Sequence, residues 1–205
     1  MSTPSESAIT RIGESRILPV VRAASADAAR DIVARLLGAG VDTIECTATT
    51  PDWPELVSEL RAGTVDALIG VGTITTAANA VLALESGADF LVSPYPAPEV
   101  RPIALAAGVL FIEGGYTPGE VAAAAARGVA KLFPAHVGGV RFLKSLLDVL
   151  PGARIVPTGG ITVADVPAWL AAGAFAVGVG SDLYAADDLD AKVAELRAAI
   201  GAEEH

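Results

Sequence analysis

The chain has one cysteine, Cys46, so no disulfide can form within it. A lone cysteine fits a reducing compartment, and the polar opening residues 1–16 carry no apolar signal-peptide core, so a cytoplasmic protein is expected. Two histidines, His136 and His205, and no Cys/His cluster leave nothing at zinc-ligand spacing. Neither a metal nor any other cofactor is expected. Basic residues are also scarce: 14 Lys and Arg stand against 24 Asp and Glu, a net charge of −10. A field of that sign disfavours nucleic acid and anionic membranes, and any anionic substrate must be held by local donors. No long apolar run is present. The most apolar late stretch, residues 169–180, is too short and too glycine-rich to cross a bilayer. Aromatic residues make up only 5%, and Trp53 and Trp169 read as packing residues of helical segments.

Apolar residues are abundant: hydrophobic side chains make up 52% and charged ones 19%. Parallel strands buried on both faces read as continuous apolar runs and account for such a composition. The 205 residues suit one domain with a full core.

Seven glycines, at positions 40, 63, 87, 108, 128, 152 and 173, each precede a short apolar run and follow an Ala/Leu/Arg-rich segment. Glycine just past a helix end adopts the left-handed conformation, after which a strand can begin. The run Ile17-Leu18-Pro19-Val20-Val21 adds a strand with no preceding glycine. Eight strands, each followed by a helix, imply a parallel sheet with right-handed crossovers and, at this even spacing, a closed (β/α)8 barrel. An open doubly wound sheet is the competing fold. It calls for a glycine-rich dinucleotide turn after the first strand, where this chain has Val21-Arg22-Ala23-Ala24. Residues 1–205 are expected to form a single domain. Residues 1–16 make a short helix closing the barrel bottom. Residues 187–200 make a terminal helix, and residues 201–205 a frayed tail.

The chain has three lysines, and only Lys131 interrupts a strand, in Val129-Ala130-Lys131-Leu132-Phe133-Pro134. An unpartnered buried ammonium costs several kcal/mol, and desolvation favours the neutral amine, a nucleophile toward carbonyls. Lys131 therefore reads either as a Schiff-base lysine or as half of a structural ion pair.

In a barrel, the C-terminal strand ends share one mouth, where active sites form. Arg22 lies after strand one, Gly72-Thr73 after strand three, Ser93-Pro94 after strand four and Glu113-Gly114 at strand five. Lys131 and Phe133 sit on strand six, Thr158-Gly159-Gly160 end strand seven, and Gly180-Ser181 end strand eight. Thr43, Glu45 and Thr47 alternate on one face of strand two. If that face is the interior, Glu45 meets Lys131, as proton shuttle or as ion-pair partner. Gly159, Gly160, Gly180 and Ser181 occupy the phosphate position of this fold, where backbone N–H groups hold a dianion without a basic side chain. Arg22 reads as a carboxylate or phosphate ligand or as a solvated arginine. Glu113 reads as a second acid/base or as an exposed loop carboxylate, and His136 as a loop histidine. Cys46 is expected to face outward into the helix layer.

The pieces Ile44-Glu45 with Thr47, Gly70-Val71-Gly72-Thr73, Ser93-Pro94, Lys131-Leu132-Phe133-Pro134-Ala135 and Pro157-Thr158-Gly159-Gly160-Ile161 are colinear. In that order they resemble the bacterial 2-keto-3-deoxy-6-phosphogluconate / 2-keto-4-hydroxyglutarate aldolases, class I pyruvate aldolases on a compact (β/α)8 barrel. The resemblance implies Lys131 as the Schiff-base lysine and Glu45 as its acid/base. It places Thr73, Pro94, Phe133 and Thr158 against a small keto-acid substrate. Gly159, Gly160, Gly180 and Ser181 fall on its phosphate, and the resemblance implies a homotrimer. The chain also departs from the pattern. Thr49 stands where the phosphogluconate branch has arginine, and that segment is more similar to the phosphogalactonate branch, with Arg22 taking over the carboxylate. Glu113 stands where the family has proline, and a carboxylate there is expected to repel an anionic substrate or change the acceptor. Two other readings remain: a non-imine isomerase or decarboxylase on a related phosphate-binding barrel, and a ligand-binding barrel without turnover.

Overall fold

The computed structural model describes residues 3–63, 66–185 and 188–201. The eight strands are β1 (Ile17–Val21), β2 (Thr43–Thr47), β3 (Leu68–Gly72), β4 (Phe90–Val92), β5 (Leu110–Gly115), β6 (Val129–Leu132), β7 (Arg154–Pro157) and β8 (Val177–Val179). Around them run α1 (Pro4–Ser15), α2 (Ala26–Gly38), α3 (Trp53–Gly63), α4 (Ala77–Glu85), α5 (Arg101–Ala107), α6 (Pro118–Ala125), α7 (Ala135–Val149), α8 (Val166–Ala171), α9 (Ser181–Tyr184) and α10 (Leu189–Gly201).

All strand pairs are parallel, in the order β7-β6-β5-β4-β3-β2-β1-β8. The seam closes through a Thr158–Gly178 bridge and a 2.9 Å bond from the Phe175 N–H to the Ile155 carbonyl. The result is the (β/α)8 barrel.

Two cores explain the composition. Outward strand residues such as Ile44, Cys46, Ile69, Val71, Ala130 and Leu132 pack against the helix ring. Inward residues such as Leu18, Phe90, Ile112, Val129 and Val156 fill the barrel itself, together with Ala8 and Ile12 of α1. Helix α1 starts at a capping box, in which the Thr3 hydroxyl accepts the Glu6 N–H and Glu6 accepts the Thr3 N–H, with Pro4 in its first turn. It lays Ala8 and Ile12 across the N-terminal end of the barrel. The mouth at the other end is left open to solvent.

Six of the seven punctuating glycines have positive φ, from 69° at Gly108 to 137° at Gly128. Gly63 departs from the expectation: it is the last helical residue of α3 and has no positive φ. The terminal helix α10 runs one residue further than expected and keeps Gly201 helical. Asp187 and residues 202–205 lie outside the described residues.

Candidate active site

Alternation along β6 turns Val129 and Lys131 inward and Ala130 and Leu132 outward. The same alternation on β2 turns Thr43, Glu45 and Thr47 inward. Lys131 and Glu45 therefore meet inside the barrel, although 86 residues separate them in the chain. Lys131 Nζ lies 3.2 Å from Glu45 Oε1 and 3.4 Å from Oε2, and the two residues are 6% and 1% exposed. Each charge would be costly to bury alone; together they neutralise one another at hydrogen-bond distance. The Phe133 ring lies 5.8 Å from the ammonium and covers one side of it.

The pair forms the floor of a cavity of about 320 Å³ at the mouth. Eleven of the residues singled out in the sequence border it. Arg22, Thr73, Pro94, Phe133 and Thr158 stand around the pair, and Gly159, Gly160, Gly180 and Ser181 form one rim. Thr73 has φ of 63°, a conformation a β-branched residue adopts at a cost of about 1–3 kcal/mol. The chain is held in that turn by a 3.0 Å bond from the Ile74 N–H to the Val92 carbonyl. Gly159 and Gly160 have φ of 99° and 67°, two successive left-handed residues that only glycine adopts freely. The Arg22 side chain is exposed and has no acidic partner among the described residues, so its charge is available to an anion at the mouth.

Three further residues line the cavity: Val20, Thr47 and Tyr184. Thr47 was legible from its alternation with Glu45, and its hydroxyl lies 3.0 Å from that of Thr49. Tyr184 was not singled out. Its hydroxyl accepts the Arg22 N–H and donates to the Arg22 carbonyl, both at 3.3 Å, pinning α9 to the end of β1. That contact spans 162 residues, so no local pattern announces it.

Glu113 corrects the sequence reading. It is neither a loop carboxylate nor a residue of the cavity: β5 turns it outward, and it is 2% exposed. It accepts the Ala97 N–H at 2.7 Å, Arg101 Nη2 at 2.7 Å and Arg101 Nε at 2.8 Å, with Arg127 Nη1 at 3.4 Å. Two guanidiniums cancel its charge and the barrel wall stands between it and Lys131, so it does not repel a substrate at the mouth. It borders an outer groove of about 700 Å³ beside α5, larger than the mouth cavity but walled mainly by apolar residues such as Pro102, Leu105 and Phe111. That groove lacks Lys131 and Glu45, so size does not locate the chemistry. His136 sits in the single helical turn of residues 135–138, ahead of a kink at Gly139 (φ 66°, ψ −174°) inside α7; it is exposed, with Nδ1 3.3 Å from the Gly159 carbonyl and its ring against Gly160. Cys46 points into the helix layer as expected, and burial, with the neighbouring Glu45 charge, pushes its thiol up to about 12. Trp53 and Trp169 are buried packing residues of α3 and α8. Among the described residues no cluster of His, Cys, Asp and Glu could hold a metal ion.

A buried amine paired with a carboxylate at the mouth of a (β/α)8 barrel is the arrangement that a lysine-dependent aldolase requires. Residues 8–197 match the family described as "KDPG and KHG aldolase". The 2-dehydro-3-deoxy-phosphogluconate aldolase of Haemophilus influenzae is 32% identical over 174 residues, covering 83% of this chain and 82% of that protein. The 2-dehydro-3-deoxy-6-phosphogalactonate aldolase of Escherichia coli K12 is 29% identical over 188 residues, covering 90% and 92%. The crystal structure of KDPG aldolase from Legionella pneumophila, with pyruvate captured as a covalent carbinolamine, superposes with a TM-score of 0.81 at 25% identity, covering 92% of this chain and 95% of that one. The chain belongs to the KDPG and KHG aldolase family. It is therefore an aldolase, an aldehyde-lyase.

Proposed function

We propose that the chain reversibly cleaves a 2-keto-3-deoxy-6-phospho sugar acid to pyruvate and glyceraldehyde 3-phosphate, and also accepts 4-hydroxy-2-oxoglutarate. The observation that carries this reading is the buried contact between Lys131 Nζ and Glu45 at the base of the mouth cavity. Lys131 passes a proton to Glu45, and the neutral amine attacks the C2 ketone. Glu45 returns that proton to the carbinolamine hydroxyl, which leaves as water, giving an iminium and a Glu45 carboxylate. Glu45 takes the proton of the C4 hydroxyl as the C3–C4 bond breaks, and the bond's electron pair flows into the iminium to give an enamine. The aldehyde leaves, Glu45 returns the proton to C3, and water hydrolyses the new iminium to free pyruvate. The iminium is the electron sink, so the residues named here suffice for the electron flow.

The exposed Arg22, which has no acidic partner among the described residues, suits the substrate carboxylate, with Thr73, Pro94 and Phe133 around the pyruvyl end. The Gly159, Gly160, Gly180 and Ser181 backbone suits the phosphate. Thr158 borders the same cavity, and its hydroxyl is assigned to sensing the C4 hydroxyl. A second reading, cleavage of the galactonate epimer, is favoured by Thr49, whose hydroxyl meets Thr47 and which brings no cation to the mouth. Comparing kcat/KM for the two C4 epimers decides between them.

Incubation with pyruvate and borohydride, followed by peptide mapping, tests the mechanism. A pyruvyl adduct on Lys131 is expected, and Lys131→Met should abolish both adduct and cleavage while leaving the circular dichroism unchanged. A folded wild-type protein that forms no adduct would refute the imine route.

We further infer a homotrimer acting in the cytoplasm. The family resemblance and the exposed apolar residues Tyr95 and Val137 near the mouth support the assembly. No helix among the described residues is long and apolar enough to cross a membrane. Sedimentation equilibrium is expected to give three times the chain mass.

A further inference from the structure

Two inward positions of β3, Gly70 and Gly72, carry no side chain, and large side chains from the neighbouring strands lean over them. The Phe90 ring of β4 occupies the space where a Cβ on Gly70 would sit. The Glu45 carboxylate of β2 does the same at Gly72: a Cβ there would overlap Oε1 and lie 2.6 Å from Cδ and 2.9 Å from Cγ. Oε1 is also the Glu45 oxygen nearer to Lys131, at 3.2 Å. Glu45 borders the mouth cavity, so a methyl group beneath it would push the carboxylate toward that space. The carboxylate would have to rotate about its own side-chain torsions, and that motion carries Oε1 away from the amine.

We propose that Gly72 is a positioning residue for the aldol chemistry. Its bare Cα is the seat on which the Glu45 carboxylate rests at hydrogen-bond distance from Lys131. Glycine stands here because of what lies above it, since its backbone is ordinary strand with no positive φ. Thr47 is its register partner on β2, yet the three atoms nearest to the position of a Cβ on Gly72 all belong to Glu45. The catalytic half of this proposal rests on Glu45 being the acid/base. The steric half does not.

The test is a double-mutant cycle between positions 72 and 45, read in both stability and rate. Gly72→Ala is expected to lower kcat about 100-fold, the scale of an ångström-sized misplacement. KM should change much less, because the substrate-binding residues are untouched. Overpacking should lower Tm by roughly 3–8 °C. In a Glu45→Ala background the carboxylate is gone, and Gly72→Ala should then leave Tm unchanged. In a Glu45→Asp background the shorter side chain withdraws from the added methyl, and Gly72→Ala should cost less than about 10-fold in kcat. If Gly72→Ala alone does not fold, the Glu45→Ala double variant is still expected to fold and to match Glu45→Ala in Tm. An equal Tm loss from Gly72→Ala with and without the carboxylate would overturn the steric contact and the proposal with it. A wild-type kcat in Gly72→Ala would overturn the positioning role. A wild-type kcat in Glu45→Ala, with the Tm coupling intact, would overturn the acid–base reading of Glu45 instead.

Discussion

At the scale of single residues, position on the barrel wall decides which partners a buried charge meets. Lys131 and Glu113 are both buried ionisable residues of adjacent strands. Lys131 faces the interior and meets one carboxylate; Glu113 faces the helix layer and meets two guanidiniums. Glu113→Ala would orphan the Ala97 N–H and leave two half-exposed arginines without their anion. A loss of about 2–3 kcal/mol in urea unfolding is expected, with kcat held within threefold of wild type because the carboxylate lies outside the cavity. Its distance from the mouth could not be read locally. The run Val109-Leu110-Phe111-Ile112-Glu113 is apolar on both faces, so alternation does not say which face is inside. Cys46 offers a pH readout. Its folded value of about 12 lies above its ordinary 9.0, so the fold favours the neutral thiol. That contribution is complete below pH 9 and is lost as pH rises toward 12. Tm of the wild type should therefore fall more steeply over that window than Tm of Cys46→Ala. Equal slopes would show that the thiol ionises in the folded protein as it does in the unfolded chain.

At the scale of elements, the turns that aim the site are built from local chemistry that sequence displays well. Thr117-Pro118-Gly119-Glu120 opens α6 as a capping box directly after the mouth end of β5. Glu120 accepts the Thr117 and Tyr116 N–H groups, and these bonds hold its carboxyl below its ordinary value. A lowered carboxyl contributes stability above the ordinary range and loses it as pH falls through the folded value. The stability gap between wild type and Glu120→Gln should accordingly be present at pH 7 and shrink on acidification. A gap that does not depend on pH would mean the carboxylate is not the capping species. Gly63 shows the limit of such reading: six glycines of the same rhythm turn left-handed, while this one ends its helix in ordinary geometry.

At the scale of the whole molecule, stability and chemistry sit at opposite ends of one barrel. Ile12 of α1 is fully buried against the interior residues at the closed end. Ile12→Ala removes that plug and should cost about 2–4 kcal/mol by cavity formation. Per folded molecule, kcat should stay near wild type, because the mouth is built from the other strand ends. A loss of kcat matched to the loss of stability would show that the interior transmits strain from one end to the other.

Sequence alone determined what local periodicity and covalent order can encode. The glycine rhythm gave eight strand–helix units, the single strand lysine marked the candidate nucleophile, and the colinear motifs marked the rim of the mouth. Tertiary structure decided everything that depends on closure of the sheet. Only in the closed barrel do Lys131 and Glu45, 86 residues apart, come within 3.2 Å, does Tyr184 reach Arg22, and does Gly72 lie under a carboxylate. The physical reason is that strand alternation records a side chain's parity, whereas which parity is inside, and what stands across the lumen, is set by the packing of all eight strands together.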